Sequence, residues 1–92
     1  MKINFYATLR QIVGQKSVEY PLEGTTTVRE LINGLIQAYP GLREELLDND
    51  GELLERVHIL VNGRDVPYLQ DTMQTEISAK DTINVFPAVG GG

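Results

Sequence analysis

The segment Thr27-Val28-Arg29-Glu30-Leu31-Ile32-Asn33-Gly34-Leu35-Ile36-Gln37-Ala38-Tyr39 decides how the chain folds. Its apolar residues Val28, Leu31, Ile32, Leu35, Ile36 and Tyr39 recur at i, i+3, i+4, i+7, i+8 and i+11, which lays one stripe along an α-helix. Thr27 is a sound N-cap. Glu30, three residues on, completes a capping box in which each side chain satisfies a backbone N–H at the helix start. Pro40-Gly41 stops the helix, because proline has no N–H to give the next turn. Gly34 costs about 1 kcal/mol relative to alanine in a helix interior, which is tolerable on a solvated or a tightly packed face.

Working outward, Lys2 to Thr8 alternates, with Ile3, Phe5 and Ala7 on one face and Lys2, Asn4, Tyr6 and Thr8 on the other. That period of two predicts a half-buried strand. Leu9, Ile12 and Val13 before Gly14 predict a helical turn, and a second strand follows around Ser17 to Tyr20, closed at a sheet edge by Pro21. Beyond the main helix, Leu42, Leu46 and Leu47 permit a second short helix, and Asp48-Asn49-Asp50-Gly51 is turn chemistry. Val57 to Val61 reads as a strand and Asn62-Gly63 as a hairpin turn, with a short partner strand interrupted by Pro67. The last strand runs from Thr82 to Phe86 and ends at Pro87, with Ile83 and Val85 on one side and Asn84 and Phe86 on the other.

A long amphipathic helix between a hairpin and a later set of strands buries its stripe only against one face of a mixed sheet, reached by a right-handed crossover. The expected fold is therefore an α+β roll of the β-grasp, or ubiquitin-like, type, with a mixed sheet of about five strands on one main helix. Residues 1–87 form the β-grasp domain in this reading, and residues 88–92 a flexible C-terminal glycine tail.

With 92 residues, 10.2 kDa and 41% hydrophobic residues, the chain has enough apolar material for one core and not for two. No apolar run approaches the ~20 residues that span a bilayer, and Met1-Lys2-Ile3-Asn4 runs into alternation rather than a signal-peptide core, so a cytoplasmic protein with no membrane partner is expected. The absence of cysteine excludes disulfides, thiolate metal sites and a Cys nucleophile. Any sulfur the chain handles must sit on another group. Eight Lys plus Arg against thirteen Asp plus Glu give a net charge of −5, which argues against nucleic acid and for a basic protein surface as electrostatic partner.

Side chains that carry chemistry are scarce. His58 is the only histidine and lies in the apolar run Val57 to Val61. It reads as an imidazole on the outer face of a strand, and a metal site would need further N or S ligands. Glu44, Glu45, Asp48, Asp50, Glu52 and Glu55 crowd one segment, yet counting from Asp48 puts Glu52 at position 5 and Leu53 where a calcium loop needs glycine. A solvated acidic face is the simpler reading, with docking of a basic partner as its second use. Ser17 and Ser78 form no arrangement with His58 that spacing supports, and Gly90 to Gly92 precede no helix that could hold a phosphate. No metal and no catalytic side chain are expected. The end, Phe86-Pro87-Ala88-Val89-Gly90-Gly91-Gly92, has no side chain beyond Val89 except hydrogen. Such a segment is either a frayed coil or a thin peptide that threads a narrow channel and presents its α-carboxylate to another protein. Phe86, Leu60 and Val89 are candidate apolar contacts beside it on the outer face of the sheet.

Ile3-Asn4-Phe5-Tyr6-Ala7 with Thr8-Leu9-Arg10, Thr27-Val28-Arg29-Glu30-Leu31, Val61-Asn62-Gly63, Asp81-Thr82-Ile83 and above all Phe86 to Gly92 resemble the MoaD/ThiS ubiquitin-like sulfur carriers. The resemblance is strongest to the small subunit of molybdopterin synthase. Gly91-Gly92 match the family's terminal diglycine, and Gly90 stands where alanine is usual. The resemblance implies that an adenylyltransferase related to ubiquitin-activating enzymes binds the β-grasp surface, contacts Val89, Gly90 and Gly91, and uses ATP and Mg to convert the Gly92 carboxylate to an acyl-adenylate. A sulfur donor then makes the thiocarboxylate, and Gly92 delivers sulfur inside a synthase. For molybdopterin synthase, the large subunit holds the cyclic pterin acceptor. No cofactor is bound by the chain itself in this scheme. Phe5 to Gln15 looks like the molybdopterin type, whereas Pro87-Ala88-Val89 looks like carriers serving cysteine synthesis. Thiamine and tRNA thiolation, or conjugation of Gly92 to lysines as a protein modifier, use the same end.

Overall fold

In the computed structural model, which describes residues 1–88, the apolar stripe forms helix α2, Val28–Ala38, and buries Val28, Leu31, Ile32 and Leu35. Thr27 Oγ1 accepts the Glu30 N–H at 3.1 Å, but the Glu30 carboxylate accepts the Thr27 hydroxyl at 3.2 Å. The threonine hydroxyl thus serves both halves of the cap, where the sequence predicts a carboxylate on the Thr27 N–H. Gly34 lies on a tightly packed face, because a Cβ there would collide with the Tyr20 hydroxyl.

The sheet facing α2 has the strand order β2-β1-β7-β4-β5. Its members are β1, Lys2–Phe5; β2, Ser17–Glu19; β4, His58–Val61; β5, Arg64–Asp65; and β7, Thr82–Phe86. β7 is parallel to β1, with Asn4 beside Asn84, and antiparallel to β4, with His58 beside Phe86. The first and last strands are therefore neighbours at the centre, as the β-grasp reading requires. Asn62 and Gly63 take φ of 51° and 87°, the left-handed pair of a tight hairpin turn that only Asn, Asp and Gly adopt readily. The inner face, Ile3, Phe5, Ile59, Ile83 and Val85, is fully buried against α2, with Leu9, Leu42 and Leu46 closing the ends.

Two features differ from the sequence reading, the end of β1 and the segment between β5 and β7, while the helix and turn expected after Pro40 are present. β1 ends at Phe5, because Ala7 turns to φ 52° and is exposed rather than inward-facing. The turn lets helix α1, Leu9–Val13, start at once and bury Leu9. A second sheet pairs β3, Thr25–Thr27, with β6, Glu76–Ser78, and two 3₁₀ turns, Val66–Tyr68 and Thr72–Gln74, bridge β5 to β6. Strands of three residues are too short to show a period of two. The acidic segment contains helix α3, Leu42–Leu46, and a loop in which Asp48 accepts the N–H groups of Asp50 and Glu52 at 2.8 and 3.0 Å. Arg29 ties that loop to α2 through Gly51 O at 2.7 Å and Glu52 at 2.9 Å. Among the described residues no helix is long and apolar enough to cross a membrane.

Candidate functional site

The outer face of the sheet follows from strand parity. Residues that alternate with the buried Ile3, Phe5, Ile59, Ile83 and Val85 point away from α2, so Asn4, Tyr6, Leu60, Asn84 and Phe86 share one surface. There an open groove of about 610 Å³ is lined by Tyr6, Ala7, Thr8, His58, Leu60, Asp65, Phe86, Pro87 and Ala88. Leu60 and Phe86, both chosen from the sequence as outward-facing, stand together in its wall and are half-buried. Pro87 is buried and Ala88 packs against the core, so the chain leaves β7 along the groove rather than away from it. The other candidates, Val89, Gly90, Gly91 and Gly92, lie outside the described residues.

Sequence reasoning passed over four groups that shape this surface. The Tyr6 and Phe86 rings stack with centroids 4.1 Å apart and planes 13° from parallel, and the Arg10 guanidinium lies 5.3 Å from the Tyr6 centroid. The Tyr6 hydroxyl donates to Asn84 Oδ1 at 2.9 Å. His58 is on the outer face as expected, but its Nδ1 meets Asp65 Oδ2 at 2.5 Å across the groove rim. The hairpin register carries a signal for Asp65: an Asn62-Gly63 turn pairs Val61 with Arg64 and so Leu60 with Asp65. Tyr6 and Asn84 share the polar parity of their strands, but their meeting depends on a pairing across most of the chain.

The arrangement has chemical limits. Its floor is apolar and aromatic, and the histidine at its rim is engaged by a carboxylate. It is suited to hold an apolar partner surface beside the root of the C-terminal segment.

The ThiS family model matches residues 3–92. The chain belongs to the ThiS family. Small archaeal modifier protein 3 of Haloferax volcanii is 39% identical over 92 residues, spanning 100% of this chain and 98% of that protein. The crystal structure of small archaeal modifier protein 1 from the same organism superposes with a TM-score of 0.84 at 28% identity, covering 100% of this chain and 98% of that one. A putative molybdopterin converting factor, subunit 1, from Pyrococcus furiosus gives a TM-score of 0.74 at 30% identity over 96% and 95% of the two chains. The BexX/CysO complex of Amycolatopsis orientalis gives 0.77 at 28% identity over 99% and 98%. These ThiS-family likenesses establish a β-grasp chain of the sulfur carrier and ubiquitin-like modifier group.

Proposed function

We propose that this ThiS-family chain is a carrier whose working group is its own Gly92 α-carboxylate. A partner adenylyltransferase seats its apolar surface on Leu60 and Phe86, draws in Val89, Gly90 and Gly91, and supplies ATP and Mg. A carboxylate oxygen attacks the α-phosphorus of ATP and pyrophosphate leaves. Sulfide supplied by a sulfur donor then attacks the acyl carbon, AMP leaves with the oxygen that joined it to the acyl group, and a thiocarboxylate remains. The chain supplies position and a side-chain-free peptide, and the catalytic groups belong to the partner. The observation that supports this reading is the groove, whose apolar wall ends at Pro87 and Ala88, next to the point where the last four residues begin. The chain's lack of cysteine agrees with sulfur held on the terminal carbonyl.

For the acceptor, the likeness to the Pyrococcus converting factor supports delivery to a pterin precursor as the small subunit of molybdopterin synthase. A second reading, conjugation through Gly92 to lysines, is favoured by the full-length 39% identity to small archaeal modifier protein 3. The BexX/CysO likeness supports delivery of sulfur to another synthase. The test is the intact mass after incubation with the cognate adenylyltransferase, ATP, Mg and sulfide. One oxygen-to-sulfur exchange is expected, and an unchanged mass with that enzyme shown active sinks the proposal. High-mass conjugates in lysate that vanish on deletion of Gly92 identify the modifier role, and a stable complex with a molybdopterin synthase large subunit the pterin role.

A further inference from the structure

Asn84 lies outside the groove lining, yet it organises the residues that form it. Its Oδ1 accepts two donors, the Tyr6 hydroxyl at 2.9 Å and the Asn4 amide at 3.0 Å, and Asn4 Oδ1 in turn accepts the Ser17 hydroxyl at 2.7 Å. This relay crosses β2, β1 and β7 on the face opposite the core. Sheets usually leave that face to water, so a connected line of side-chain bonds across three strands is a local rigidifier.

What it fixes is the Tyr6 ring. The Tyr6 N–H bonds Val85 O at 3.2 Å, and the next residue, Ala7, turns to φ 52°. The backbone thus sets where Tyr6 begins, and the hydroxyl bond to Asn84 sets how the ring is turned. The ring in turn stacks on Phe86, the last residue of β7 before Pro87. Without the hydroxyl bond, Tyr6 and Phe86 can rotate out of register and enter the groove that the partner must fill.

We propose that Asn84 is a positioning residue that acts through the Tyr6 hydroxyl to hold the Tyr6–Phe86 stack in its docking geometry before a partner binds. The inference rests on the carrier reading above for the identity of the partner, not for the device. Ordering done in the free chain is ordering that association need not do, so the effect belongs to binding and not to the chemical step.

The experiment measures carrier-dependent exchange of labelled pyrophosphate into ATP by the cognate adenylyltransferase, using the full chain. Asn84→Ala and Tyr6→Phe each raise KM for the carrier about fivefold, the size of one lost hydrogen bond, with kcat unchanged. The double variant raises KM no further, and Asn84→Asp, which keeps the acceptor, restores the wild-type KM. An unchanged KM, additive effects or a fall in kcat overturns the proposal. A readout independent of the partner is the NMR shift of the Phe86 ring protons, which the stacked Tyr6 ring displaces. Those shifts move in Asn84→Ala while the methyl resonances of Leu31 and Leu35, buried on the other face of the sheet, stay in place; unmoved Phe86 shifts overturn the proposal. If the wild-type chain supports no exchange at all, the Gly92 reading fails and the Phe86 shifts alone decide the role of Asn84.

Discussion

Gly34 shows how one contact reverses an intrinsic preference. In an exposed helix interior, replacing glycine by alanine stabilises by about 1 kcal/mol. Here the added methyl would occupy the place of the Tyr20 hydroxyl, and Tyr20 is a partly buried ring packed against the core. The ring must swing aside and give up that packing, an overpacking cost of about 1–3 kcal/mol. Gly34→Ala is therefore expected to lower Tm by a few degrees, since about 1 kcal/mol corresponds to ~4–8 °C in a domain of this size. In a Tyr20→Ala background the same substitution raises Tm, because the obstacle is gone and only the helical preference remains. Thermal unfolding of the four proteins checks this; a rise in Tm in both backgrounds refutes the contact argument.

At the scale of elements, the turn between β6 and β7 and the tip of the β4–β5 hairpin are joined through one carboxylate. Asp81 accepts the Asn62 amide at 2.9 Å and the Ser78 N–H at 2.8 Å, while Asn62 Oδ1 accepts the Thr82 N–H at 2.9 Å. The Asn62 bond first, then the Ser78 N–H and the nearby Lys80 charge, hold the Asp81 carboxyl below its ordinary range. The ionised form is thus favoured by folding, so its stabilisation is full above the ordinary carboxylate range and is lost as pH falls through the depressed value. The stability difference between wild type and Asp81→Ala should be constant near neutrality and shrink in acid, as read from urea unfolding at a series of pH values. A difference that stays constant into acid contradicts the assignment. These joints also mark what the sequence makes legible. Helix α2, the Asn62-Gly63 turn and β7 are readable residue by residue because stripe, cap and turn are local signals. The pairings of β3 with β6 and of Tyr6 with Asn84 are not, because each joins short segments far apart in the chain. Parity alone placed Leu60 and Phe86 outward, but it could not say that Tyr6 would roof one of them.

For the whole molecule, the two end strands are the centre of the sheet. β7 lies between β1 and β4, and its Ile83 and Val85 are fully buried beside Ile3 and Phe5. The core draws on residues from Met1 to Val85, with Ala88 packed against it. Stability and the proposed chemistry should then separate at one point in the chain. A chain ending at Ala88 keeps every one of those contacts and is expected to unfold within about 1–2 °C of the full chain. It loses the oxygen-to-sulfur mass change completely, having no Gly92. A chain ending at Asp81 lacks the central strand, exposes both its neighbours' edges and does not fold. Circular dichroism melts and intact mass on the three chains test the separation. A large drop in Tm for the chain ending at Ala88 would mean that the last four residues are part of the packed structure, and the view of them as a free peptide for a partner's channel would have to be abandoned.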